Sequence, residues 1–262
     1  EPGTIVPTYA PGLPLTMALA AAAGGPAAVY FVVPLLGAAA VWLTFLLGRR
    51  YAGGASGAAA AVLLATSPAF LYQVVQPMSD VPVTAWWLLA LWGAAAARPV
   101  TAGCGAALAV LTRPNLAPVA VVVTAAVVLH AYVRQAGPRA AARTAAARAG
   151  AAFAAPVGIA VAFLAWVNAT LYGSPFASGY GTASELFAAG NIAPNAIRYT
   201  RWLIETHTPL ILVCLAAPLA GRLVRGNGPA PPAAAWSWIG LAFACIVVLC
   251  YLPYAVFDDW WY

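Results

Sequence analysis

The sequence predicts an all-α protein, a polytopic bundle of transmembrane helices, and two observations carry that prediction. The first is composition: 64% of the 262 residues are hydrophobic and 7% are charged, with a mean hydropathy of +0.87. A soluble domain needs far more polar sequence to coat its core. The second is charge distribution, because the 12 basic residues, all arginine, and the 6 acids separate once the apolar runs are divided into spans.

The apolar runs define eight spans of alternating direction, since a spanning helix needs roughly 20 apolar residues. A first run, 14–24, is too short and is predicted to be an interfacial helix. The spans are predicted at 26–48, 54–75, 81–97, 99–112, 115–133, 150–171, 209–224 and 233–257. Together they form a single transmembrane domain over 1–262, which we expect to be a piece of a longer protein.

The span 99–112 is the short one. It gives only about 21 Å of helix at ~1.5 Å per residue, against a hydrocarbon core of ~30 Å. Its outer end, at Arg113, is therefore expected slightly below the membrane surface.

Charge orients the bundle. Nine arginines fall at one set of span ends and all six acids at the other. Arginine-rich short loops stay in the cytoplasm, so 134–148, with four arginines, is predicted to be cytoplasmic and 172–207 external. The lack of lysine and abundance of alanine indicate a GC-rich bacterial genome, hence the bacterial cytoplasmic membrane. The net charge of +6 reflects this bias; it indicates anionic membrane lipids as partners and no nucleic acid.

The external segment 172–207 combines glycine-rich turns, aromatic residues and a short amphipathic helix at 195–206. Long loops with structure of their own are commonly functional. Arg198 and Arg201 lie three residues apart and share one helical face. With Arg113 they form a trio of positive charge on the outer side, suited either to binding phosphate or to simple solvation.

The sequence also supports hypotheses for the roles of Glu205, Asp80 and Arg113. Glu205 follows Arg201 by four residues, so an ion pair is expected. Asp80 or Ser79 caps the next helix, Asp80 contacts substrate or metal directly, or both hold. Arg113 binds an anionic phosphate or snorkels to the interface.

His207 is read as an interfacial histidine, or as a metal ligand or proton-transfer group. No metalloprotease, P-loop or serine-hydrolase motif occurs, so spacing alone names no reaction. No cofactor is assigned, and a divalent metal is left open.

Short motifs in a fixed order resemble a known family. They are Thr8–Leu15 (TYAPGLPL), GRR at 48–50, Pro68, MSDVP at 78–82, TRP at 112–114 and YGSPF at 172–176. In this order they resemble bacterial membrane glycosyltransferases of the C superfamily, and in particular the protein O-mannosyltransferase and aminoarabinose transferase group, glycosyltransferase family 39. The resemblance covers most of the chain. Ala10 departs from it, because relatives carry a Pro-Pro pair near Tyr9.

The resemblance implies an enzyme that takes a sugar from a polyprenyl-phosphate donor on the outer membrane face and inverts the anomeric centre. It implies that Asp80 is the later acidic residue of the site and that Arg113 is the arginine of the Thr-Arg-Pro motif. Tyr9, Arg198, Arg201 and His207 are the remaining substrate-binding candidates. The acceptor is undefined.

The family's catalytic base lies in an outer loop that precedes residue 1, so the resemblance implies that this stretch alone is inactive. The alternative function is a polytopic transporter or flippase for an envelope lipid or sugar. Transporters place ionisable residues near the membrane midplane on broken helices, whereas most charges here fall at span ends. A third alternative is a non-catalytic envelope assembly protein.

Overall fold

The computed structural model describes residues 7–135, 137–207, 216, 218 and 232–255, and within them the chain is mostly helical. The helices are Gly12–Gly24 (α1), Val32–Ala65 (α2), Pro68–Val74 (α3), Asp80–Ala95 (α4), Pro99–Thr112 (α5), Val119–Arg134 (α6), Arg139–Tyr172 (α7), Ala183–Leu186 (α8), Ile192–His207 (α9) and Pro232–Tyr251 (α10). Short 3₁₀ turns span Pro26–Phe31, Pro114–Leu116 and Ala189–Asn191. An antiparallel hairpin pairs Ala177–Ser178 (β1) with Gly181–Thr182 (β2). The expected all-α class is therefore confirmed.

Two helical stretches, Pro26–Ala65 and Arg139–Tyr172, are long and apolar enough to cross a membrane. The first is a hairpin of two arms, because Gly53 has φ 88° and ψ 169°, far from helical values. The arms pack closely beyond this turn: a Cβ on Gly48 would lie 2.7 Å from the Cα of Gly57. The hairpin agrees with the predicted boundary between the first two spans.

The predicted count of eight spans remains a prediction. Helix α5 has 14 residues and α4 and α6 have 16 each, fewer than the roughly 20 that cross a full hydrocarbon core. The predicted span 209–224 lies outside the described residues except for positions 216 and 218.

The arginine-rich segment 134–148 is not the loop that the sequence predicted. Helix α7 begins at Arg139, eleven residues before the expected start of its span, and continues to Tyr172. Alanine and arginine dominate this stretch, and both are strong helix formers. The helix therefore extends through the charged residues and does not stop where the apolar run ends.

Helix α5 lies between α4 and α7, and small residues allow close approach. A Cβ on Gly93 of α4 would lie 2.5 Å from the Ala102 nitrogen of α5, and one on Gly105 would lie 2.7 Å from the Ala90 nitrogen. Contacts of this kind are typical of packing between membrane helices. At the far end of α5, a Cβ on Gly12 would lie 2.5 Å from the Thr112 nitrogen. This packing brings the start of α1 beside the residue that precedes Arg113.

Candidate functional site

A cavity of about 1300 Å³ opens at one end of the bundle, where several helix termini converge. Its walls come from the segment before α1, the starts of α1 and α4, the end of α5, the ends of α7 and α10, the β-hairpin and one face of α9. The bundle termini in this wall are the ends that the sequence predicted to be outer. Asp80 and Arg113 both line the cavity, as the spacing of their helices predicted.

Arg113 is the centre of a polar clamp in the cavity wall. Its Nη2 donates to Asp80 Oδ2 over 2.7 Å, its Nε to Ser79 Oγ over 2.8 Å and its Nη1 to Tyr251 Oη over 2.6 Å. The side chain is 22% exposed. The clamp joins the start of α4, the end of α5 and the end of α10. Three of the five guanidinium N–H donors are used, which leaves two for a ligand.

The clamp distinguishes between the alternatives that the sequence left open for Arg113 and for Asp80. Arg113 does not snorkel, because its head group is paired inside the protein. Ser79 is the residue before α4, but neither it nor Asp80 makes a side-chain capping hydrogen bond to this helix. Their side chains turn to Arg113 instead. Asp80 lines the cavity, and its Oδ1 accepts no hydrogen bond from the described residues, which leaves it as an acceptor for a ligand.

The wall has an apolar side and an aromatic side. Leu15, Leu171 and Leu249 line it and are 45%, 41% and 60% exposed, so they form an apolar surface open to the cavity. On the other side, Tyr180 and Tyr254 line the wall, and burial raises the pKa of Tyr180 to about 12. Both side chains therefore line the same cavity as the clamp.

The segment before α1 lies across the β-hairpin and closes one side of the cavity. The Tyr172 hydroxyl donates to the Pro7 carbonyl, and the rings of Tyr9 and Tyr180 meet edge to face with centroids 5.9 Å apart. Gly179 lies against Thr8, where a Cβ would come 2.6 Å from the Thr8 carbonyl oxygen. Any side chain at position 179 would push the segment before α1 away from the β-hairpin.

Helix α9 supports the clamp from behind. Asn195 is fully buried, and its Nδ2 donates to the carbonyls of Leu252 (3.0 Å) and Tyr254 (2.8 Å), with a longer contact of 3.4 Å to the Tyr251 carbonyl. Its Oδ1 accepts from Arg198 Nη1 over 3.1 Å. The last carbonyls of a helix lack partners within it, so Asn195 completes the end of α10 and fixes the position of Tyr251.

The trio of positive charges expected from the sequence does not form at the cavity. Arg198 bonds Asn195 and lies over the Trp202 ring at 5.9 Å. Arg201 is exposed and pairs with Glu205 over 2.6 Å, as predicted for that i,i+4 pair. Neither arginine belongs to the described cavity wall. His207 ends α9, and its side chain lies outside the description.

Sequence reasoning placed Asp80, Arg113 and Tyr9 in one site, and all three line the cavity. It missed Tyr251 and Asn195. Tyr251 resembles any interfacial aromatic at the end of an apolar run. Asn195 offered a weak signal, since it shares a helical face with Tyr199 and Trp202, where an amide is unusual.

No group of three or more His, Cys, Asp or Glu side chains with metal-binding geometry occurs within 7–135, 137–207 and 232–255. Comparisons of the chain with models of known protein families, with curated proteins and with solved structures give no match. The likeness to membrane glycosyltransferases therefore rests on the sequence motifs.

Proposed function

We propose that this chain is the bundle of a bacterial membrane glycosyltransferase that takes a sugar from a polyprenyl-phosphate donor. One observation carries the proposal: a cavity of about 1300 Å³ in which an immobilised arginine stands beside uncovered apolar wall. A lipid-linked sugar phosphate has matching parts, namely an anion, a polar ring and a long hydrocarbon chain.

The clamp supports a role for Arg113 at the phosphate. A planar guanidinium suits phosphate oxygens better than the point charge of lysine. Asp80, Ser79 and Tyr251 hold the group in one orientation, so a ligand does not have to order it. Because Asp80 offsets the charge of Arg113, the phosphate uses the two remaining N–H donors of the guanidinium.

The proposed reaction uses Arg113 in this position. The acceptor oxygen attacks the anomeric carbon from the face opposite the phosphate, the carbon–oxygen bond to the phosphate breaks, and the phosphate leaves with the electron pair. Arg113 stabilises the charge that develops on the leaving phosphate. A carboxylate takes the acceptor proton, and the resemblance makes Asp80 the later acidic residue of the site.

The finer architecture belongs to the same proposal. It has eight spans in the bacterial cytoplasmic membrane, with 134–148 in the cytoplasm and 172–207 outside. The support is the division of arginines and acids between opposite span ends. Cysteines introduced one at a time at Ala145 and Gly190 should react with an impermeant reagent from opposite sides. Reaction of both from one side would contradict the topology.

The test of function uses the full-length protein in liposomes with synthetic polyprenyl-phosphate sugars. Arg113→Ala should weaken donor binding by about thirtyfold, from roughly 2 kcal/mol of lost charge-assisted hydrogen bonding. Arg143→Ala removes an equal charge from an exposed position of α7 and should leave binding unchanged. Equal binding by both variants would refute the phosphate role.

The same liposomes distinguish a transferase from the alternative function, a transporter or flippase. A transporter or flippase moves the labelled lipid to the opposite leaflet without breaking its sugar–phosphate bond. A transferase yields free polyprenyl phosphate and glycosylated acceptor. Translocation without bond cleavage would decide for the transporter.

A further inference from the structure

A second, smaller cavity lies at the opposite end of α4 and α5. It has a volume of about 160 Å³ and is lined by Ala94, Ala97, Arg98, Pro99, Val127, His130, Ala131 and Ala149. The walls come from the end of α4, the start of α5, the end of α6 and the arginine-rich part of α7. Nothing in the proposed sugar transfer uses this cavity.

Positive charge converges on this second cavity. Arg98 lines the cavity, and its guanidinium lies over the Trp92 ring, 5.3 Å from the ring centroid. Arg134 follows His130 by one helical turn, and both Arg134 and Arg50 interact electrostatically with that imidazole. Arg50 comes from the turn of α2, which ring contacts link to His130: Tyr51 stacks on Trp236 at 4.8 Å, and Trp236 meets His130 at 6.4 Å.

These cations have no internal counter-charge among the described residues. The described salt bridges are Arg113–Asp80 and Arg201–Glu205. Asp80 lines the large cavity at the other end of α4, and Glu185 and Glu205 belong to the segment 172–207. Among the described residues this end of the bundle therefore carries net positive charge, which an anionic ligand would offset.

The walls select the kind of anion. Six of the eight lining residues are alanine, proline or valine, so most of a ligand's surface there meets apolar side chains and the polar groups come from Arg98 and His130. Free phosphate carries acceptors on all sides and would lose hydration against such walls. A phosphodiester with hydrocarbon attached presents an anionic edge to arginine and an apolar edge to alanine.

We infer that this second cavity binds the phosphate of an anionic phospholipid from the leaflet on the arginine-rich side, with Arg98 as the principal contact. Basic pockets between membrane helices on the cytoplasmic side bind anionic head groups in this way. The inference rests on the membrane setting of the proposed function and is independent of sugar transfer.

The experiment measures lipid retention by the full-length protein, purified in mild detergent with equal amounts of phosphatidylglycerol and phosphatidylcholine, by native mass spectrometry. Arg98→Gln should lower the ratio of anionic to zwitterionic lipid about tenfold, since charge-assisted hydrogen bonds are the strong ones. Arg143→Gln, with the same loss of charge at an exposed position outside the cavity, should change the ratio by less than about twofold.

Three further measurements test the inference. Ala131→Leu fills the cavity without changing charge and should also lower anionic lipid retention; unchanged retention in Ala131→Leu, or an equal loss in Arg98→Gln and Arg143→Gln, would overturn the site. Inorganic phosphate should not displace the lipid; full displacement would make free phosphate the ligand. Arg113→Ala should leave lipid retention intact even where donor binding is lost, so failure of either proposal can be recognised separately.

Discussion

The hydrogen bond from Arg113 to Tyr251 should couple the ends of α5 and α10 energetically. It is short, 2.6 Å, and its donor is charged and mostly buried. Hydrogen bonds to charged groups contribute about 1.5–3 kcal/mol. Tyr251→Phe removes the acceptor but keeps the ring, so we expect it to lower the free energy of unfolding by about 2 kcal/mol.

A double-mutant cycle isolates this bond. Lysine at position 113 keeps the charge and can still pair with Asp80, but it lacks the fork that reaches Ser79 and Tyr251 together. In the Arg113→Lys background, Tyr251→Phe should therefore cost less than about 0.5 kcal/mol, a coupling of roughly 1.5 kcal/mol.

The assay is equilibrium unfolding of the purified protein in mixed micelles with increasing denaturing detergent. Tyr30→Phe is the control, because Tyr30 is 82% exposed and its substitution should be nearly neutral. Additive effects of the two clamp substitutions would refute the reasoning, since they would mean that Tyr251 stabilises the protein without its bond to Arg113.

Three further predictions concern the walls around the clamp. Asn195→Leu should destabilise the protein by about 3 kcal/mol in the same assay, because it leaves carbonyls at the end of α10 without a donor; an unchanged midpoint would contradict the support role. Gly179→Ala should speed maleimide labelling of Cys250 inside the cavity, while Gly190→Ala, whose Cβ meets nothing within 4 Å, should not; equal rates would contradict the closure. Hydrogen bonds from Thr182 lower the pKa of Glu185 below its ordinary value of 4.5. These bonds therefore stabilise the start of α8 fully above pH 4.5, and the stabilisation is lost as the pH falls through the lower pKa of the folded protein. Amide exchange in α8 should accelerate over that range in the native protein but not in Glu185→Gln.

Sequence reasoning succeeded where residues close together in the sequence determine the structure. The bounds of α5 were predicted without error because Pro99 starts it and Pro114 follows it, and proline is tolerated only at a helix start. The placement of Asp80 and Arg113 in one cavity followed from the positions of the ends of two adjacent antiparallel helices, whereas their direct ion pair was not predicted. The pair Arg201–Glu205 followed from helical spacing alone.

Sequence reasoning failed where contacts between distant parts of the chain determine the structure. Tyr251 reaches Arg113 across 138 residues, and no local pattern selects one interfacial tyrosine over another. Asn195 acts on backbone carbonyls, which every residue carries. The start of α7 was misplaced because hydropathy marks where a membrane span begins, whereas alanine and arginine extend the helix beyond that point.

Photo-crosslinking with a polyprenyl-phosphate sugar that carries a diazirine on its first isoprene unit tests the central claim most directly. In the full-length protein, crosslinked peptides should map to the apolar wall formed by Leu15, Leu171 and Leu249, and Arg113→Ala should abolish them while Arg143→Ala does not. Crosslinks confined to outward surfaces such as Leu63 of α2, or unchanged by Arg113→Ala, would contradict the account.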